Sequence, residues 1–261
     1  MKKSKKSLFS STDPKRVWLV LLFATFSFAG TIKVAVAANV SYAIEALVKD
    51  FNKQNTNSKI EINIGSSGKL AAQIMQNAPY DIFMSADMGY PEALYSKGLA
   101  VSEPKVYANG SLALFTKRGD INVSKGLSTI LDDNIKRVAV ANPKTAPYGV
   151  ATKQALKNAK LYNMVKQKFI YGQSIGQTLT YALTAADIGF VAKSTLLSKK
   201  LSRYKEGKNW IDVPAKLYTP TKQGIVLIKR AKDSADAKAF YNYILSDRAK
   251  EIFKKFGYIY R

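Results

Sequence analysis

Residues 65–87, GSSGKLAAQIMQNAPYDIFMSAD, pair a helix start built from Gly65, Ser66, Ser67 and Gly68 with a short apolar segment over 82–85. Small residues and hydroxyls at a helix start leave backbone N–H groups unpaired, and the helix dipole adds partial positive charge, so such a start suits an oxyanion. The apolar segment after it has the length and composition of a buried strand. Helix followed by buried strand is one step of an α/β fold.

The flanking sequence extends that step. Strands are predicted over 32–38, 59–64 and 82–85, with helices over 41–52, 69–77 and 89–97 between and after them. This βαβα order predicts a largely parallel sheet with helices on both faces. The second half repeats the style, with strands over 112–117, 137–141, 188–192 and 224–230. Helices are predicted over 150–159, 161–167, 176–185, 235–245 and 247–256. Two α/β lobes joined by two crossing strands, 112–117 and 224–230, account for this order. The corresponding division is 30–110 plus 225–261 for the first lobe and 111–224 for the second. One continuous sheet is the alternative that periodicity leaves open.

Residues 1–29 read as an export signal. Lys2, Lys3, Lys5, Lys6, Lys15 and Arg16 form a basic leader, and an uncharged, mostly apolar run follows over 17–30. That run is shorter than the ~20 residues a membrane span needs, and Ser27 and Ala29 suit cleavage after Ala29. Cleavage after Ala37 or Ala38 also satisfies the small-residue rule, but it removes the first strand. Without the leader the chain keeps 35 basic and 17 acidic residues, a net charge of +18. Such a field draws in small anions. Its lysines are scattered over helix faces and loops with no basic block interleaved with aromatics, which argues against nucleic acid as a partner.

Cysteine and histidine are both absent. There is then no disulfide framework, no thiolate or imidazole metal site, no cysteine for lipid attachment and no Ser-His nucleophile pair. Asp81 and Asp87 flank the 82–85 strand, but they are six positions apart with no third ligand nearby. That is weak support for a metal site, and Asp87 reads better as a cap for the helix that follows.

Several segments taken together resemble one family. AANVSYAIEALVKDF (37–51), GSSGKLAAQIMQNAPYDIFMSAD (65–87), ANPKTAPYGVATKQAL (141–156), YGQSIGQTL (171–179), DIGFVAKS (187–194) and AFYNYILSDRAKEIFKKFGY (239–258) are similar, in order, to the periplasmic molybdate-binding proteins of ABC importers. The resemblance implies a two-lobe clamp that closes on one molybdate or tungstate ion and hands it to a membrane permease. It also implies a periplasmic binding protein with no cofactor, no free metal cation and no catalysis, and a monomer is expected because nothing in the sequence suggests a large exposed apolar face. By position, the oxyanion contacts fall on Asn39, Ser67, Tyr148 and the N–H of Ile175, with Ser66 and Ala38 as secondary contacts. Asn39 also reads as a helix cap, Tyr148 as a turn aromatic and Ile175 as helix-start packing. Many family members carry a ligand-binding tyrosine where this chain has Ala192, and the Tyr148 phenol is expected to replace that donor. The alternatives are the same clamp tuned to another tetrahedral oxyanion such as sulfate, or an exported α/β enzyme. The latter finds no support in any G-x-S-x-G elbow or metal cluster.

Overall fold

A computed structural model describes residues 30–55 and 58–260. The expected leader and its cleavage after Ala29 lie outside the described residues. The elements run β1 (Thr31–Ala37), α1 (Ser41–Phe51), β2 (Lys59–Gly65), α2 (Ser67–Met75), β3 (Ile82–Met84), α3 (Gly89–Ser96), β4 (Lys105–Gly110) and β5 (Leu112–Phe115). They continue with β6 (Val138–Ala141), α4 (Pro147–Asn158), α5 (Tyr162–Val165), β7 (Phe169–Gly172), α6 (Ile175–Thr184), β8 (Ile188–Ala192) and α7 (Lys193–Leu196). The last are β9 (Trp210–Asp212), β10 (Thr221–Leu227), α8 (Ala235–Ile244) and α9 (Asp247–Lys255).

Two five-stranded sheets result, ordered β2-β1-β3-β10-β4 and β7-β6-β8-β5-β9. In the first, β1 pairs in parallel with β2 and β3, while β10 runs antiparallel to β3 and β4. The second repeats the plan: β6 is parallel to β7 and β8, and β5 is antiparallel to β8 and β9. The parallel half of each sheet is the half that feeds helices into the site. The two antiparallel strands bring the chain across and back.

Alternation along each central strand explains the layering. Val34 and Val36 face a core shared with Ile44 and Leu47 of α1 and Phe240 and Phe253 of α8 and α9, while Ala35 faces Leu70 of α2 on the other side of the sheet. In the second sheet Val138 and Val140 pack with Leu156 of α4, and Ala139 with Leu179 of α6. A strand buried on both faces reads as a continuous apolar run, as these do.

The chain passes between sheets twice, at Gly110–Leu112 and at Tyr218–Thr221. The expected boundary after residue 224 falls inside β10. Thr221 pairs with Gly110 in the first sheet, so the return crossing lies just ahead of β10. Three short strands, β4, β7 and β9, are absent from the sequence reading.

One ion-pair cluster ties the first lobe together. Asp50 of α1 accepts from Arg248 Nε (2.8 Å) and Nη2 (2.7 Å) of α9 and from the Tyr243 hydroxyl (3.0 Å) of α8. The hydrogen bond from Arg248 holds the Asp50 carboxyl far below the usual carboxylate range, against the opposing effect of burial. A carboxyl depressed in the folded state stabilises it above the unfolded value of ~3.9, and that contribution is lost as pH falls below about 4. Thermal unfolding from pH 7 to pH 2 is expected to show a loss below pH 4 that is smaller in Asp50→Asn. Equal losses in both proteins would remove Asp50 from the account.

Candidate functional site

Four helical segments begin at one point between the lobes. Ala38 and Asn39 open a single 3-10 turn (Ala38–Val40) that leads from β1 into α1. Ser67 is the first residue of α2 and follows Ser66 in extended conformation. Pro147 and Tyr148 open α4, with proline at a position where its missing N–H costs nothing. Ile175 opens α6 behind Ser174, whose Oγ accepts from the Gln177 N–H (3.2 Å). Each helix presents first-turn N–H groups that its own backbone cannot pair. A cavity lies where these starts converge, lined by Ala38, Asn39, Ser66, Ser67, Tyr148 and Ile175 together with small neighbours from the same loops.

Among the described residues, no lysine, arginine, aspartate or glutamate lines this cavity. Its polar groups are amides and hydroxyls, and its positive potential comes from helix ends. Ser67, 1% exposed, accepts from the Ala86 N–H through Oγ (3.0 Å), which fixes the oxygen and leaves the hydroxyl proton available. Asp87 sits beside Ala86 but is turned away, accepting from Ser85 Oγ (2.9 Å) and the Tyr90 N–H (3.3 Å) at the start of α3. Burial pushes its carboxyl upward. Asp81 is pinned at the far end of β3 by the Lys33 N–H (2.7 Å) and Arg230 Nε (2.9 Å). Among the described residues no group of three or more Asp or Glu is placed to hold a metal ion.

Contacts across the cleft close the cavity. The Gly68 N–H of α2 donates to the Thr145 carbonyl of the other lobe (2.9 Å). Ser194 Oγ, at the start of α7, donates to the Asn39 carbonyl (2.9 Å), which also accepts from the Tyr258 hydroxyl of its own lobe (2.9 Å). A Cβ on Gly176 would lie 3.3 Å from the Ala38 Cβ, so the two lobes meet at two of the smallest side chains available.

The Tyr148 phenol takes a direction the sequence did not suggest. It runs toward the crossing strands, where its oxygen lies 3.5 Å from Gln223 Nε2 and 2.2 Å from the place a Cβ on Gly110 would occupy. Tyr148 also stands in the first turn of α4, where its N–H has no partner within the helix. Burial raises this phenol, like those of Tyr107 and Tyr258, above the ordinary tyrosine range. Ala192 ends β8 fully buried among apolar neighbours, with its carbonyl accepting from Thr195 Oγ1 (2.7 Å). Sequence reasoning missed Gln223, Ser194 and Tyr258. Gln223 carried a readable signal, as a lone amide inside the apolar strand TKQGIVL.

A family model, bacterial extracellular solute-binding protein, matches residues 32–259. The chain belongs to the bacterial extracellular solute-binding proteins. This solute-binding protein is 34% identical over 243 residues to the molybdate-binding protein ModA of Rhodobacter capsulatus, covering 92% of this chain and 93% of that one. It is also 34% identical to the protein of the same name from Azotobacter vinelandii over 244 residues, at 91% and 93% coverage. The solved periplasmic molybdate-binding protein of Azotobacter vinelandii superimposes with a TM-score of 0.81 at 31% identity, covering 88% of this chain and 99% of that chain. The sulfate-binding protein SubI of Mycobacterium tuberculosis, at 14% identity and a TM-score of 0.67, shares the fold alone.

Proposed function

We propose that this solute-binding protein captures molybdate, and tungstate with it, and delivers the anion to an ABC permease. The observation that carries this reading is the convergence of four helix starts on a cavity without a charged side chain. The names of its relatives select molybdate among the oxyanions such a cavity accepts. The proposed contacts are the Asn39 N–H and amide, the Ser67 hydroxyl and N–H, and the N–H groups of Tyr148 and Ile175, with Ser66 and Ala38 at the edge. The protein acts as a monomer exported beyond the cytoplasmic membrane, binds without turning over its ligand and uses no cofactor.

A donor-only cage suits a dianion that carries no hydrogen. Protonated phosphate would place an O–H against a donor and leave it without an acceptor, at about 1–3 kcal/mol for the unmet pair. Molybdate and tungstate are larger than sulfate and nearly equal to each other, so cage size separates the first two from the third. Titration calorimetry of residues 30–261 with the four anions is expected to give one-to-one binding of molybdate and tungstate, with sulfate and phosphate weaker by orders of magnitude. Tighter binding of sulfate would overturn the ligand and leave the fold assignment intact.

The same cage predicts an unusual pH response. No histidine exists in the chain, and the buried phenols near the cavity titrate well above neutrality. Affinity for molybdate is therefore expected to stay constant within about a factor of two from pH 6 to pH 9. A tenfold step in that range would reveal a titrating contact and contradict the uncharged cage.

A further inference from the structure

We propose that Gln223, which enters from β10 and touches no solvent, is the positioning residue that turns the amide nitrogen of Asn39 toward the anion. The inference rests on the oxyanion reading above and on a count of protons. Three buried side chains meet at Gln223. One of its amide atoms lies 2.8 Å from the Asn39 amide and 2.7 Å from the Tyr107 hydroxyl, and the other lies 3.5 Å from the Tyr148 hydroxyl. Tyr107 is also 3.1 Å from the Ser85 carbonyl, and Tyr258 is 3.3 Å from the Asn39 amide.

Suppose first that the Gln223 oxygen faces Asn39 and Tyr107. Tyr107 then has to give its single proton both to Gln223 Oε1 and to the Ser85 carbonyl. Gln223 Nε2 donates to Tyr148, whose own proton is free for the neighbouring Thr221 Oγ1, itself donating to the Gly110 carbonyl. Asn39 spends Nδ2 on Gln223 and Tyr258, while its Oδ1 is buried without a partner. An unpaired acceptor is then the free end of an amide in a residue that lines an anion cavity.

Exchanging nitrogen and oxygen in both carboxamides changes no shape, since the two atoms occupy equivalent positions. It removes the double claim on the Tyr107 proton and pairs Asn39 Oδ1. Gln223 Nε2 gives one proton to Asn39 Oδ1 and one to the Tyr107 oxygen, which frees the Tyr107 proton for Ser85. Gln223 Oε1 receives the Tyr148 proton. Ser194 alone satisfies the Asn39 carbonyl, so Tyr258 can turn its proton to Asn39 Oδ1. The free end of Asn39 becomes Nδ2, with two protons for the ligand. Tyr107 belongs to the first lobe and Tyr148 to the second, so the Gln223 amide is fixed from both sides of the crossing.

Two measurements test this. In the ligand-free protein, nuclear Overhauser contacts from the Gln223 side-chain NH2 to the Tyr107 ring are expected; contacts to the Tyr148 ring instead would overturn the orientation. A double-mutant cycle by calorimetry then reads its role. Gln223→Met is expected to weaken molybdate binding about tenfold in the natural background, and to have almost no effect when Asn39 is already alanine, because Gln223 acts through that amide. Losses that simply add would mean a structural role and refute the proposal. Absence of molybdate binding by the unsubstituted chain would instead remove the ligand reading, while the Overhauser contacts still decide the amide orientation.

Discussion

Ser67→Asp is expected to abolish molybdate binding in a chain that still folds. Ser67 opens α2, where a carboxylate interacts favourably with the helix dipole by about 0.3–1 kcal/mol. The new side chain can also keep the acceptor role toward the Ala86 N–H that the serine oxygen now fills. The anion meets the opposite situation. At an effective dielectric of about 20, charges of −1 and −2 some 5 Å apart repel by roughly 6–7 kcal/mol, more than a thousandfold in affinity. The hydroxyl donor is lost as well. Thermal unfolding and calorimetry on the same sample check both halves. An affinity within tenfold of the natural protein would place the anion somewhere other than the start of α2.

Gly149→Ala is expected to cost the second lobe more than about 3 kcal/mol and to weaken anion binding with it. Gly149 packs the first turn of α4 against the end of β6. A Cβ there would fall 2.3 Å from the Ala141 carbonyl oxygen and 2.8 Å from the backbone nitrogen of Pro143. These are backbone atoms of a buried strand and the turn after it, so no side-chain rotation relieves the clash. The helix start must move outward, carrying the Tyr148 N–H with it. At about 2–4 °C per kcal/mol for a protein of this size, the melting temperature is expected to fall by roughly 6–12 °C. A drop of less than 2 °C would mean that α4 sits less tightly on β6 than these distances imply.

The elements that fill the cores were legible because their patterns are long or fully apolar. IKVAVA, DIFM and IGFVA announce buried strands, and the Ser-Ser-Gly and Pro-Tyr-Gly turns announce helix starts. The missed strands are short or lie at sheet edges. β9 has three residues, β7 is an edge strand with Tyr171 exposed, and β4 ends in Asn109-Gly110, which reads as a turn. Gly110 belongs in the strand because the Tyr148 hydroxyl occupies the space a Cβ would need. That reason is tertiary, and no local propensity contains it.

The site divides in the same way. Composition marks the Ser66-Ser67 helix start as suited to an anion, and the family resemblance adds Asn39, Tyr148 and Ile175 by position; the fold brings Asn39, Ser67, Tyr148 and Ile175 to one cavity. Groups that orient them come from distant parts of the chain: 184 residues separate Asn39 from Gln223 and 219 separate it from Tyr258. The Tyr148 phenol was expected to serve as a donor in place of the tyrosine missing at Ala192. Its hydroxyl lies 3.5 Å from the Gln223 amide nitrogen in the crossing strand.

Most donors in the proposed cage belong to the peptide backbone, and that shapes how such a protein can drift. A side-chain substitution can delete the Ser67 hydroxyl or the Asn39 amide, but every residue except proline supplies an N–H at a helix start. The preference for oxyanions is therefore hard to lose by single replacements. What a lineage can tune cheaply is the distance between the lobes, through pairs such as Gly176 and Ala38, where one added methyl group acts as a spacer. Inherited variation at such contacts would change the diameter of the cage and leave its chemistry untouched, so that new anion preferences arise as changes of fit.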